Sequence, residues 1–185
     1  MKHRGFTLFE LMISLVIFSI ILLWGSYYLS SLIKQVQAQL VMYQLSSLVQ
    51  SAKSYAFNNH INVTLCGSSD SYHCDNDWST GVLVLEDRNR NGLADGEDKL
   101  LKFEPLILQP HRLSWQGFSG PRLIIESFGM TYASNGTFTF CRHDGEAEFS
   151  RQVIISRGGR VRFSRDRNGD GIHETSSGMP ISCPD

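Results

Sequence analysis

Residues 11–33 contain no Asp, Glu, Lys, Arg or His. As an α-helix rising about 1.5 Å per residue, this run is long enough to cross the hydrocarbon core of a bilayer. It leaves about 150 residues beyond it, enough for one domain with a modest core. The run is preceded by a short basic stretch, with Lys2 and Arg4 in residues 1–5, which the positive-inside rule keeps in the cytoplasm. No Ala-x-Ala pattern follows it, so the pattern is not that of an ordinary cleaved secretory peptide. One residue breaks the apolar logic at its edge. A carboxylate at Glu10, about one turn into the span, costs roughly 2 to 3 kcal/mol and calls for a partner or a function.

Past the span, Leu29, Leu32, Ile33, Val36, Leu40, Leu45, Leu48, Ala52 and Tyr55 recur at helical spacing, with glutamines between them. They predict an amphipathic continuation over 34–58. Eight short runs then read as strands: 61–65, 81–86, 100–103, 112–116, 122–126, 137–141, 152–155 and 160–163. Asn135-Gly136 and Gly158-Gly159 mark hairpin turns, where glycine supplies positive φ. The expected fold is α+β, a long N-terminal helix packed on an antiparallel β-rich head over 59–185.

Seventeen basic residues stand against eighteen acidic ones, which excludes a globally basic nucleic-acid binder and confines any anion affinity to a local patch. Such a patch exists. Residues 151–167 carry Arg151, Arg157, Arg160, Arg162, Arg165 and Arg167 against the single acid Asp166. With 159–164 as a strand, Arg160 and Arg162 share a face about 7 Å apart, and Val161 and Phe163 turn to the core. Guanidinium groups at that spacing suit successive phosphates of a nucleic-acid strand and carry no base readout.

Cys66, Cys74, Cys141 and Cys183 lie beyond the span and are expected to form two disulfides. Three pairings are open. Nearness in sequence favours Cys66 with Cys74, leaving Cys141 for Cys183. A zinc site from Cys66, His73 and Cys74 lacks the usual ligand spacing. Two loops, Asp87 to Asp98 through Asn89, Asn91 and Gly92, and Asp166-Arg-Asn168-Gly-Asp170-Gly171, carry the oxygen spacing of calcium loops. Neither has a glutamate at the twelfth position, and both read as turns. His60, His73, His111, His143 and His173 are scattered, without metal or catalytic spacing. No motif nominates a catalyst, so neither cofactor nor metal is expected.

Arg4-Gly5-Phe6-Thr7-Leu8-Phe9-Glu10-Leu11 resembles the class III signal of type IV prepilins and type II secretion pseudopilins. The resemblance implies a leader over 1–5, cleavage between Gly5 and Phe6 by a prepilin peptidase, and methylation of Phe6. It further implies a membrane and filament-core helix over 6–33, with Glu10 neutralising the terminal amine of a neighbouring subunit. Gly159-Arg160-Val161-Arg162 is similar to the Gly-Arg-x-Arg motif of FimT-type minor pilins, which resemble GspH in fold. That likeness implies sequence-independent DNA binding by Arg160 and Arg162, with Arg157, Arg165 and Arg167 extending the patch. Its implied setting is natural transformation, with other pilins, DNA and the inner membrane as partners. The resemblance also implies a head that is periplasmic before assembly and at the cell surface afterwards. A rival expectation is a structural pseudopilin whose arginines pair with acidic neighbours.

Overall fold

Thr7 opens the first helix with a reciprocal cap. In the computed structural model, which describes residues 5–89, 91, 95–96, 98–106, 108 and 110–183, Thr7 Oγ1 accepts from the Glu10 amide at 3.2 Å. Glu10 Oε2 accepts in turn from the Thr7 amide at 3.2 Å. This is a capping box, which satisfies amides that the first turn leaves without helical partners. Helix α1 runs over Leu8–Asn59. It ends without glycine: His60 takes φ 55°, and the Ile61 amide reaches back to Ala56 O at 3.3 Å, a Schellman closure.

The chain divides into two compact units, Met1–Gln37 and Ala38–Asp185. Helix α1 is long and apolar enough to cross a membrane. In the second, α1 buries Ala38, Val41, Met42, Leu45, Leu48, Val49, Ala52 and Ala56. Leu40, expected on that face, is 60% exposed. Counting back from Leu45 in steps of three and four reaches Val41, Met42 and Ala38, so Leu40 falls on the opposite side.

Eight strands follow, one for each apolar run. They are β1 (Val63–Gly67), β2 (Gly81–Glu86), β3 (Lys99–Pro105), β4 (Arg112–Gly117), β5 (Leu123–Ile125), β6 (Gly136–Cys141), β7 (Arg151–Ile155) and β8 (Val161–Phe163). They form two antiparallel sheets ordered β3-β2-β1-β5 and β4-β6-β7-β8. The first strand starts two residues later than expected because the helix closure takes up His60 and Ile61. Asn135-Gly136 is not a hairpin turn: Gly136 begins β6. Its glycine serves close packing, since a Cβ there would lie 2.4 Å from Gln116 O and 2.7 Å from the Trp115 ring.

One core joins α1 to both sheets through Leu45, Val49, Leu65, Val84, Phe138 and Val153. All six β2 residues are buried, because the outer face of β2 is also covered. There Leu83, Leu85 and Cys66 pack with Phe103 and Cys74, under the loop closed by the Cys66–Cys74 disulfide. A second disulfide joins Cys141, at the end of β6, to Cys183. Tyr55 of α1 donates to Glu86 Oε1 at 2.5 Å. This contact and the Arg88 guanidinium hold the Glu86 carboxyl below its ordinary range.

Candidate nucleic-acid interface

The edge hairpin β7–β8 turns through a close reversal. The Gly159 amide donates to Ser156 O at 2.8 Å and the Ser156 amide to Arg160 O at 3.0 Å. Gly159 sits at φ +68°, the left-handed residue that a bulged hairpin turn requires. The turn is also docked. Lys53 of α1 donates through Nζ to Gly158 O at 3.3 Å and Gly159 O at 3.4 Å. Thr131 donates through Oγ1 to Ser156 O at 2.8 Å, and the Thr131 and Tyr132 amides donate to Arg157 O. With its carbonyls held from behind, the turn presents its arginines outward.

A Cβ at position 159 would stand 2.5 Å from Gly129 O. Gly159→Ala is therefore expected to cost about 2 to 3 kcal/mol, from the left-handed φ and the displaced backbone. Urea unfolding of the head measures it, and the change leaves every charge in place.

Arg160 lies just before β8 and not within it. Its amide bonds to Ser156 Oγ at 3.2 Å, so the bulge takes the residue that the expected strand began with. Arg162 pairs across the ladder with Ile154 on the outer face. Val161 packs against the core, but Phe163, expected inside, is 39% exposed. Since β8 is the edge strand, the Phe163 ring overhangs the sheet and meets Tyr43 of α1 edge-on, with centroids 5.4 Å apart. Arg157, at the turn tip, places its guanidinium 5.9 Å from the Phe118 ring centroid, within cation–π range.

After β8 the chain folds back. The Glu174 amide donates to Arg165 O at 3.0 Å and the Ile181 amide to His173 O at 3.0 Å, which sets Arg165 and Arg167 beside Arg162. A recess of about 540 Å³ between β8 and this returning segment is lined by all three. A second, of about 720 Å³, lies between α1 and the hairpin and is lined by Lys53, Phe57, Arg160 and Phe163.

The acids of this segment are engaged by backbone. Asp166 accepts from the Gly169 amide at 2.7 Å and the Gly171 amide at 2.9 Å, which hold its carboxyl below the ordinary range. Buried Glu174 accepts from the Arg167 amide at 2.9 Å. Arg157, Arg160, Arg162, Arg165 and Arg167 are all exposed, and among the described residues none forms an ion pair. Arg88 and Arg142 do, with Glu86 and Asp144. Arg151 also differs: half-buried, it donates to Glu148 O and Ser150 O at 2.6 and 2.9 Å, and burial pushes its guanidinium down. The structure thus separates one supporting arginine from five presented ones.

In the Asp166 loop, the ligand atoms of Asp166, Asp170 and Glu174 lie within 4.8 Å of one another. In the other loop, Asp87 turns inward and accepts from Thr64 Oγ1 at 2.8 Å; Gly92 lies outside the described residues. Lys53 and the Tyr43–Phe163 pair were not anticipated. Lys53 stands among Ser, Ala and Tyr, and nothing in that local sequence ties it to a turn about a hundred residues away.

Residues 43–159 match the family described as type II transport protein GspH. Residues 1–26 match the prokaryotic N-terminal methylation motif. Among solved structures, the type IV minor pilin FimU of Pseudomonas aeruginosa is similar in two crystal forms. One has a TM-score of 0.57 at 19% identity over 81% of this chain and 97% of that one. The other has 0.54 at 20% identity over 79% and 99%. The minor pseudopilin EpsH of the Vibrio cholerae type 2 secretion system aligns at a TM-score of 0.48 and 15% identity, over 69% of this chain and 95% of that one. No curated protein matches the sequence.

Proposed function

Because the chain belongs to the GspH family, we propose that it is a minor pilin of the FimT kind that holds extracellular DNA on a type IV pilus for uptake in natural transformation. Minor pilins and pseudopilins are filament subunits and not enzymes. In this reading a prepilin peptidase cuts between Gly5 and Phe6, Phe6 is methylated, and the apolar half of α1 holds the subunit in the inner membrane with its head in the periplasm. On assembly Glu10 exchanges its cap on Thr7 for the terminal amine of a neighbouring subunit, which offsets the cost of burying either charge alone.

The observation that carries DNA binding is the row of five exposed arginines that form no ion pair among the described residues, on a hairpin held from behind. Arg160 and Arg162 contact phosphates, and Arg157, Arg165 and Arg167 extend the contact. A surface of this kind tracks a backbone and shows little base preference. Several copies along one fibre multiply a weak single contact.

The test uses a head of residues 34–185, which contains the whole buried core and both disulfides, and follows duplex DNA binding across a salt series. Neutralising three to five phosphates gives a slope of log affinity on log salt of about −3 to −4.5. In Arg160→Ala/Arg162→Ala the slope shrinks by about 2 and binding weakens at every sequence tested. A folded parent that fails to bind at low salt would overturn the reading and leave the arginines to contacts with acidic neighbouring subunits in a filament.

A further inference from the structure

The structure gathers two of the histidines that are far apart in sequence. His111 immediately precedes β4, and His143 follows β6 by two residues. Because Arg112 pairs with Cys141 at that end of the ladder, the two imidazoles meet with Nδ1 atoms 3.4 Å apart. Their rings are tilted by 38°, with centroids at 5.3 Å. An N–H···N hydrogen bond would draw the nitrogens to about 3 Å. Two imidazole nitrogens on one tetrahedral zinc ion, each about 2.0 to 2.1 Å from it, stand about 3.3 to 3.4 Å apart. We infer that His111 and His143 form a two-histidine chelate for a divalent transition-metal ion of the zinc type, its remaining positions filled by water.

The surroundings favour such a chelate. The His111 ring rests edge-on against buried Phe140 at 5.7 Å, and the Cys141–Cys183 disulfide fixes the chain two residues before His143. The pair is therefore preorganised and does not have to be assembled by the ion. Arg142 lies between the two in sequence, but Asp144 neutralises it through contacts of 2.8 to 3.2 Å and its guanidinium turns over Phe149. The His143 amide donates a long hydrogen bond to His111 Nδ1 at 3.4 Å, which an ion bound at that nitrogen would replace. Imidazole nitrogen suits zinc, copper and nickel and does not suit calcium. An ion bound here would clip the ends of β4 and β6 together, and it would stabilise the folded head by mass action.

The site is independent of DNA binding, and its test needs no nucleic acid. The full chain in detergent is titrated with Zn²⁺ by calorimetry, beside His143→Ala, the near-isosteric His111→Gln and the exposed control His73→Ala, with circular dichroism to verify folding. The expected result is saturable binding of one ion in the parent and in His73→Ala, weakened about tenfold or more when either chelating imidazole is lost. Zinc should raise the melting temperature of the parent and leave that of His143→Ala unchanged, and Ca²⁺ should do neither. Absence of saturable zinc binding in the parent, or equal affinity in His143→Ala and His111→Gln, overturns the site.

Discussion

Replacing Cys141 and Cys183 together by serine is expected to lower the unfolding free energy of the head by about 4 kcal/mol. The bridge spans 42 residues, and the chain entropy released in the unfolded state grows with the logarithm of that span. For a domain of this size the loss corresponds to a fall in melting temperature of roughly 8 to 16 °C, read by thermal circular dichroism. The shorter Cys66–Cys74 loop, with a separation of 8, should cost about 2 to 3 kcal/mol when opened by the same substitution. The two bridges differ in position as well as span. Cys183 pins the segment that returns along β8 and sets Arg165 and Arg167 beside Arg162, so its release should loosen that half of the arginine row below the melting transition. In the proposed DNA-binding reading, the double variant should then keep the contribution of Arg160 and lose salt dependence from the tail. Equal melting temperatures for the parent and the Cys141/Cys183 variant would contradict the assigned tie.

Phe138→Ala is expected to cost about 4 kcal/mol. The side chain is fully buried between Trp78, 4.9 Å away edge-on, and Trp115, 4.5 Å away and tilted. Truncation removes the apolar burial and both ring contacts, and the neighbouring backbone cannot close the hole because β6 is paired on both sides by β4 and β7. Those two indoles are the tryptophans of the 34–185 head, since the third is Trp24. The variant should therefore show red-shifted emission together with a lower urea midpoint. Phe138→Leu, which refills much of the volume, should lose less than half as much. An emission spectrum unchanged in Phe138→Ala would show that the rings do not pack as described.

The uncharged run, the helical spacing after it and the eight apolar segments were legible in the sequence because each rests on local period and length. An α+β chain with a membrane-length helix follows from these features, and so does the concentration of arginine near one end. Local pattern could also separate turn glycines from strand residues at Gly158-Gly159. It failed at Asn135-Gly136, where glycine answers to a tryptophan on the neighbouring strand. It also placed Phe163 inside, since alternation assigns a side chain to a face without saying whether that face has a cover at the sheet edge. Leu40 failed for a related reason: an apolar residue at helical spacing can still fall on the uncovered side.

Tertiary structure alone decided which arginines are presented. Arg151 and Arg162 belong to the same run, yet the first is turned into backbone carbonyls and the second onto an open face. Asp166 and Glu174 could have cancelled the patch, but the amides of Gly169, Gly171 and Arg167 engage them first. Lys53 beneath the turn, and His111 beside His143, depend on contacts between elements remote in the chain, and no period or spacing encodes those. The sequence by itself determined the elements, the membrane-length anchor and the charge of the patch, because these depend on neighbours a few residues away. The exposure of that charge, the partners of each acid and the meeting of the two imidazoles were decided by sheet register and packing, which bring distant residues within hydrogen-bonding reach.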